Sequence, residues 1–327
     1  MLRMLCYGLA LAALAGPAAA LDGARDDVRA FAAEMKRKHG FDAAWLDKVL
    51  ADAASQPRII ELMSKPAEKT MPWHQYRKHF LTEDRIAAGV EFWVAHRARL
   101  AAIEQKTGVA QHVIVGILGA ETFFGRITGR FRVLDALATL AFDYPPRSSY
   151  FRAELEQFLL LVREEQIDVS TVLGSYAGAM GSGQFMPRSY RAYAVDGDGD
   201  GKRDLWGSLD DVIASVANYL AEHGWRTGEP VAAPAGLWFP RADGLVPGPI
   251  APDTTVKALR DRGLHFETTL AAKAPALFIR VDGETAPELR AGFHNFGVIT
   301  KYNRSILYGL AVEDLGRRIE SLVPAAP

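Results

Sequence analysis

The chain is poor in cysteine: one in 327 residues, Cys6, close to the start. Everything after it is therefore without disulfides, cysteine-ligated metals or thiol catalysis. A charge bias is also missing. The 38 Lys and Arg residues stand against 39 Asp and Glu, a net charge of −1, so no long-range field favours nucleic acid or an anionic membrane as partner. The apolar stretch Leu9–Ala15 falls well short of the roughly 20 residues that a membrane-spanning helix needs. No internal repeat or low-complexity block occurs. What remains is an ordinary globular composition, 49% apolar and 24% charged, long enough to bury a substantial core.

The first twenty residues have an order of their own. Arg3 precedes the apolar stretch, Gly16-Pro17 follows it, and Ala18-Ala19-Ala20 ends it. That is the pattern of a secretory signal peptide cleaved after Ala20. Cys6 lies ahead of the apolar stretch, in the wrong place for a lipid-anchored cleavage site, so no lipid anchor is expected. The expected location is the periplasm, as a soluble envelope protein.

Apolar residues at helical spacing (Val28, Phe31, Met35; Trp45, Leu46, Val49, Leu50) predict helices over 24–54. Thr82 followed by Glu83-Asp84 predicts a helix start, and the pattern runs to about 105. Further helices are expected over 109–123, with Gly125 as C-terminal cap, and over 150–166, 187–194, 208–223 and 303–322. From 229 to 256 Pro and Gly become frequent, and Ala276–Val281 reads as a strand. The expected class is α+β, mostly α, with a small β-rich subdomain.

The stretch VIVGILGA (113–120) leads straight into Glu121. Ile114, Ile117, Leu118 and Glu121 are spaced to share one helix face. Gly116 and Gly119 each cost a helix about 1 kcal/mol relative to Ala, a cost consistent with close approach by another backbone or a ligand. Phe123 and Phe124 follow and can wall the acid off from water. An apolar setting disfavours the charged carboxylate and suits a general acid. The competing reading is a buried ion pair with Arg126 or Arg130.

Several segments together resemble the lytic murein transglycosylase B family of peptidoglycan-cleaving enzymes. They are GILGAETFFGR (116–126), LDALATLAFDYPPRSSYF (134–151), GSYAGAMGSGQFMPRSY (174–190), LWGSLDDVIASVANYLAEHGW (205–225) and TKYNRSILYGLAV (300–312), with WHQYRKHF (73–80) a weaker match. The resemblance implies a lysozyme-like catalytic core over 107–228, an α-helical domain over 21–106, the β-rich subdomain over 229–285 and a C-terminal segment, 286–325, returning to the core. It implies glycan strands of peptidoglycan as substrate, other cell-wall enzymes as further partners, and cleavage without water to a 1,6-anhydromuramoyl end. Glu121 matches the family's catalytic acid. Ser175 and Gln184 fall in the block that lines the cleft, and Asn303 matches the Asn of the Tyr-Asn motif near the acid.

An ordinary glycosidase needs two carboxylates. Asp135 and Asp143 are candidates for a second one, and each reads equally well as a helix or turn carboxylate. One acid suffices if the sugar's own C6 hydroxyl is the nucleophile: Glu121 protonates the glycosidic oxygen, then accepts the hydroxyl proton. Ser175, Gln184 and Asn303 would orient the sugar, or serve as a helix cap, a loop hydrogen bond and a helix N-cap respectively. Phe123 and Tyr302, with Phe124 and Phe185, can stack on sugars or belong to the core. The rival functions are a hydrolytic muramidase and a catalytically silent peptidoglycan-binding scaffold.

Residues 195–211, VDGDGDGKRDLWGSLDD, place Asp196, Asp198, Asp200, Gly201 and Asp204 at positions 1, 3, 5, 6 and 9 of an EF-hand loop, with the Lys202 carbonyl at position 7. Position 12 is Gly207 rather than Glu. Asp210 supplies the missing carboxylate if the loop is lengthened, as it is in the resembling family, so the EF-hand-like loop is expected over 196–210 with a structural Ca²⁺. A plain acidic turn is the alternative.

Overall fold

The apolar and charged alternation of the first expected helical region resolves into two helices separated by a glycine turn. Helix α1 (Asp26–His39) opens with two acids and closes with Lys36, Arg37, Lys38 and His39, a charge order that complements its dipole; Gly40 ends it at φ 65°. Helix α2 (Ala43–Asp52) is capped by Asp42, which accepts the Trp45 amide hydrogen at 2.8 Å. The computed structural model describes residues 19–64, 71–238, 245, 247–248 and 250–325. Cys6 and all of the expected signal peptide except Ala19 and Ala20 lie outside the described residues.

Strand β1 (Ala19–Ala20) pairs antiparallel with β2 (Ala54–Ser55), and helix α3 (Pro57–Ser64) follows. Next come α4 (Trp73–Tyr76), α5 (Glu83–Ala95), α6 (Arg97–Thr107) and α7 (Gln111–Thr122). Thr82 caps α5 by accepting the Arg85 amide hydrogen at 3.2 Å, as the sequence predicts. The pattern expected to run on to about 105 is two helices, broken at His96. Strand β3 (Phe131–Arg132), α8 (Val133–Phe142), α9 (Ser148–Glu164), β4 (Leu173–Gly174), α10 (Pro187–Tyr193) and α11 (Leu209–Glu222) complete the middle of the chain.

The chain divides into two compact units, each assembled from separated stretches. One contains the described residues of 4–66 and 125–212. Its centre is α8, apolar and buried on all sides, packed on α9. The polar residues of α8 bind the β2 segment: Asp135 accepts from the Ala54 amide at 2.9 Å and Thr139 from the Gln56 amide at 3.0 Å.

The other unit holds the described residues of 67–124 and 213–327. Its β-rich part is a five-stranded antiparallel sheet of β5 (Ala232–Leu237), β6 (Thr254–Thr255), β7 (Leu264–Phe266), β8 (Pro275–Val281) and β9 (Glu288–Phe293), in the order β6-β8-β9-β5-β7. Helix α12 (Val256–Asp261) covers it, and Val256, Leu259, Phe266, Phe278 and Phe293 form its core. The sheet runs past residue 285, because β9 pairs with both β8 and β5. The helix expected over 303–322 is α14 (Ile306–Glu320), and α13 (His294–Tyr302), which the spacing did not mark, precedes it.

Helices α7 and α14 lie antiparallel and nearly backbone to backbone. A Cβ on Gly116 would come within 2.4 Å of the Val312 carbonyl oxygen, and one on Gly316 within 2.1 Å of that of His112. The close approach expected at Gly116 is therefore to a helix. From His112 to Thr122 every residue of α7 is buried, so the helix is enclosed on all faces rather than on the one its spacing suggested.

Candidate active site

Helix α7 ends in an unusual turn. Phe123, at φ 52° and ψ 51°, is the left-handed cap in place of the expected Gly125; Phe124 follows at φ 58° and Gly125 at φ 82°. A non-glycine residue in this region costs about 1–3 kcal/mol and persists only where packing enforces it. Here the packing is visible. The Phe124 ring stacks on Phe92 of α5 at 5.2 Å and fills space left open by two glycines: a Cβ on Gly89 or Gly119 would lie 3.0 or 2.8 Å from its Cζ. Phe123 lies under the Arg85 guanidinium at 4.9 Å, and the same guanidinium faces Phe80 at 5.6 Å. Phe124 is thus an anchor for the turn, and Phe123 has a cation as its neighbour.

Glu121 sits just before this turn and is 9% exposed. Its Oε1 accepts a hydrogen bond from the hydroxyl of Tyr308, at 2.8 Å. Tyr308 is fully buried in the first turn of α14, and its amide is capped by Ser305 Oγ at 3.3 Å. Sequence reasoning missed Tyr308 although it lies in the motif TKYNRSILYGLAV. The N-cap of α14 is Ser305, so Asn303 does not have the N-cap role that its position allowed. Asn303 is instead the buried C-terminal boundary of α13, its carbonyl accepting the Ser305 amide hydrogen at 2.8 Å. Tyr302 is fully buried with its ring edge-on to Tyr219, 4.8 Å away. It faces the core, which corrects its expected place at a sugar-binding surface.

In the other unit, the glycine-rich stretch 174–186 is a tight loop closed by bridges from Met180 to Gly174 and Phe185. Ser175 Oγ accepts from the amides of Ala177 and Ala179 at 3.2 and 3.0 Å, which leaves its hydrogen to donate elsewhere. Gln184 adopts φ 50°, and its Nε2 donates to the carbonyls of Thr128 and Gly181, both at 3.0 Å. Phe185 is core.

The candidates for a second catalytic carboxylate are committed to structure. Asp135 binds the Ala54 amide and, at 3.4 Å, the Gln56 side-chain amide. Asp143 accepts from Ser55 Oγ at 2.6 Å and from the Arg25 guanidinium.

The acidic loop has the tight turns of a cation loop, with Gly199 and Gly201 at φ 81° and 90°. Carboxylate oxygens of Asp196, Asp198 and Asp211 lie within 4.8 Å of one another. Asp211 was not foreseen. It is fully buried at the start of α11, where its two oxygens accept the amides of Gly197 (2.7 Å) and Asp204 (2.6 Å). Asp200 and Asp204 are turned to their own loop, accepting the amides of Lys202 at 2.8 Å and Trp206 at 2.8 Å. The Gly201 amide, with those of Gly199 and Asp200, holds the Asp196 carboxyl below its ordinary range. A hard, all-oxygen donor set centred on three carboxylates fits calcium.

This mostly helical α+β chain, with a single carboxylate closing a fully buried helix, has the lysozyme-like architecture of glycan-cleaving enzymes. The chain belongs to the family described as Transglycosylase SLT domain, whose model matches residues 23–317. Membrane-bound lytic murein transglycosylase B of Escherichia coli (strain K12) is 42% identical over 298 residues, covering 88% of this chain and 81% of the relative. Among solved structures, the catenated lytic transglycosylase SltB1 from Pseudomonas aeruginosa matches with a TM-score of 0.87 at 44% identity, over 92% of this chain and 99% of that one. The Escherichia coli lytic transglycosylase Slt35 in complex with calcium matches with a TM-score of 0.84 at 40% identity, over 93% and 96%.

Proposed function

We propose that the protein is a lytic transglycosylase that cuts the β-1,4 bond between N-acetylmuramic acid and N-acetylglucosamine in peptidoglycan glycan strands. Glu121 acts first as acid and then as base. Its proton passes to the glycosidic oxygen, and the C1–O4 bond breaks. The C6 hydroxyl oxygen bonds to C1, and its proton returns to the Glu121 carboxylate. The products are a free 4-hydroxyl and a 1,6-anhydromuramoyl end, no water is consumed, and the acid is regenerated.

The observation that carries this reading is the Tyr308–Glu121 hydrogen bond at a nine-tenths-buried carboxyl. Burial disfavours the charged form before reaction, and the phenol donates to the carboxylate once it has formed. The structural commitments of Asp135 and Asp143 favour a one-acid route. Ser175, with a hydroxyl hydrogen to give, together with Gln184, Asn303 and Phe123, is assigned to orienting the sugar. Calcium would be held by Asp196, Asp198 and Asp211, with Asp200, Lys202, Asp204 and Asp210 as the further loop donors, and it would relieve the repulsion among clustered carboxylates. Among the described residues no helix is long and apolar enough to cross a membrane, and the proposed location is the periplasm.

The test is mass spectrometry of products from purified peptidoglycan. Anhydro ends, lighter by one water than reducing ends, support the reading; reducing ends would make the enzyme a hydrolytic muramidase. Glu121→Gln should abolish cleavage while binding persists.

A further inference from the structure

The polar contact at the far end of α7 has no part in the chemistry above. His112 Nε2 lies 3.2 Å from Glu313 Oε2, and the two side chains are only 5% and 7% exposed. Arg317 Nε donates to the other oxygen, Glu313 Oε1, at 3.0 Å. Desolvation pushes the Glu313 carboxyl up, but the hydrogen bond and charge of His112, with those of Arg317, hold it below its ordinary range.

The surroundings give this contact its meaning. Gly116 and Gly316 put the two helix backbones in direct contact. The glycines set how closely the two helices approach, and side chains of α14 such as Val312 and Leu315 seat against them. Specific polar ties add to the definition of register, and the helix pair carries Tyr308–Glu121 at one end and His112–Glu313 at the other. They are nine residues apart on α7, about 13 Å at 1.5 Å per residue. A buried polar or ionic pair is often no more stabilising than a well-packed apolar pair, so stability alone gives little reason for it; holding one register does.

We propose that His112 and Glu313 are positioning residues: their buried pair locks α14 against α7 in the register that keeps the Tyr308 hydroxyl on Glu121. The proposal rests on Glu121 being the catalytic acid. A shift of about 1 Å at a reacting group is enough to cost on the order of a hundredfold in rate.

The experiment compares wild type, His112→Phe, His112→Gln and Glu313→Gln on a soluble oligosaccharide of alternating N-acetylglucosamine and N-acetylmuramic acid. His112→Phe should lower kcat by about tenfold or more with KM within about twofold. His112→Gln, whose amide can still donate to Glu313, should recover most of the loss. The ultraviolet difference spectrum of Tyr308, assigned against Tyr308→Phe, should shift in His112→Phe and return in His112→Gln. Unchanged kcat in folded His112→Phe, a loss confined to KM, no recovery with Gln, or an unmoved Tyr308 signal each overturns the clamp. If His112→Phe does not fold, Glu313→Gln decides: it keeps the shape, loses the charge and should lower kcat several-fold, and an unchanged kcat overturns the proposal. Glu121→Gln separates the two claims. Cleavage by that variant would remove the acid assignment, whereas the Tyr308 spectrum still reports on the clamp.

Discussion

Tyr308, 187 residues from Glu121 in sequence, gives its phenolic hydrogen to that carboxylate at 2.8 Å where α14 lies against α7. A hydrogen bond to a charged group contributes about 1.5–3 kcal/mol. If Glu121 carries negative charge only after it has protonated the leaving group, the bond is stronger in the transition state than before it, and it lowers the barrier. Tyr308→Phe should therefore lower kcat by about ten- to a hundredfold, the rate equivalent of that energy. KM should change little, since the hydroxyl is aimed at the acid. Steady-state kinetics on a defined oligosaccharide checks both numbers. An equal rise in KM at constant kcat would make Tyr308 a substrate contact instead.

The glycine contact between the two helices makes a stability prediction of unusual sign. On a free helix Gly→Ala is favourable by about 1 kcal/mol. At Gly116 the new methyl would stand 2.4 Å from the Val312 carbonyl oxygen, a backbone atom that cannot rotate away. Gly116→Ala should therefore destabilise the protein by about 1–3 kcal/mol, as overpacking does. Denaturant unfolding at constant m-value would measure it.

How much of this was legible in the sequence depends on the range of the interaction. Glu121 stood out because an apolar run and an acid share a helical period, a purely local signal. The Thr82 cap is local too. Tyr308 was hidden because no local pattern says which helix face will meet α7. Gly125 drew the C-cap assignment because glycine is the usual left-handed residue, whereas Phe123 takes that conformation only because Phe92, Gly89 and Gly119 make a place for Phe124. Glu288 and Arg290 masked β9, a strand that tertiary pairing on both edges stabilises. In the acidic loop, alternation marked Asp196 and Asp198. The choice between Asp210 and Asp211 waits on where α11 begins, and that start at Leu209 brings Asp211 into the trio.

Acid should loosen the helix pair at its distal end. The Glu313 carboxyl is held below its ordinary range, so its contribution to stability is complete above the unfolded value, near 4.5, and is lost as the pH falls through the lower folded value. Asp314, next in the chain, has the opposite sign: burial, only partly offset by Arg290, raises its carboxyl, and protonation in acid relieves that cost. Glu313→Gln removes the first contribution alone. Its stability should fall less steeply than that of wild type between about pH 5 and pH 3. Thermal unfolding across that range, with wild type and variant falling in parallel, would show that the His112–Glu313 pair contributes nothing to acid sensitivity.

Calcium binding at the acidic loop, as proposed, predicts a stabilisation that depends on named carboxylates. At a calcium concentration a hundred times Kd the folded state gains about 2.7 kcal/mol, enough to raise Tm by a few degrees. Asp196→Asn and Asp211→Asn should each abolish that rise. Asp211→Asn should in addition lower Tm without calcium, because the buried carboxylate also holds the amides of Gly197 and Asp204. Asp210→Asn should retain part of the response. Differential scanning calorimetry with and without chelator distinguishes the three variants, and a full loss in Asp210→Asn alone would return the ligand role to that residue.

Asp135 offers the sharpest check on a one-acid mechanism. Its carboxylate accepts hydrogen bonds from Ala54 and Gln56 and is 4% exposed, so it is spent on anchoring the β2 segment to α8. Asp135→Ala should cost about 1–3 kcal/mol of stability by leaving a buried amide without its acceptor. The protein that remains folded should still cleave glycan strands at close to the wild-type rate, with the same anhydro ends. A two-carboxylate mechanism that used Asp135 as base or nucleophile makes the reverse forecast: folded protein, lost cleavage. Measuring kcat at a temperature where circular dichroism shows the variant fully folded separates the two, because a structural loss disappears on cooling and a missing catalytic group does not.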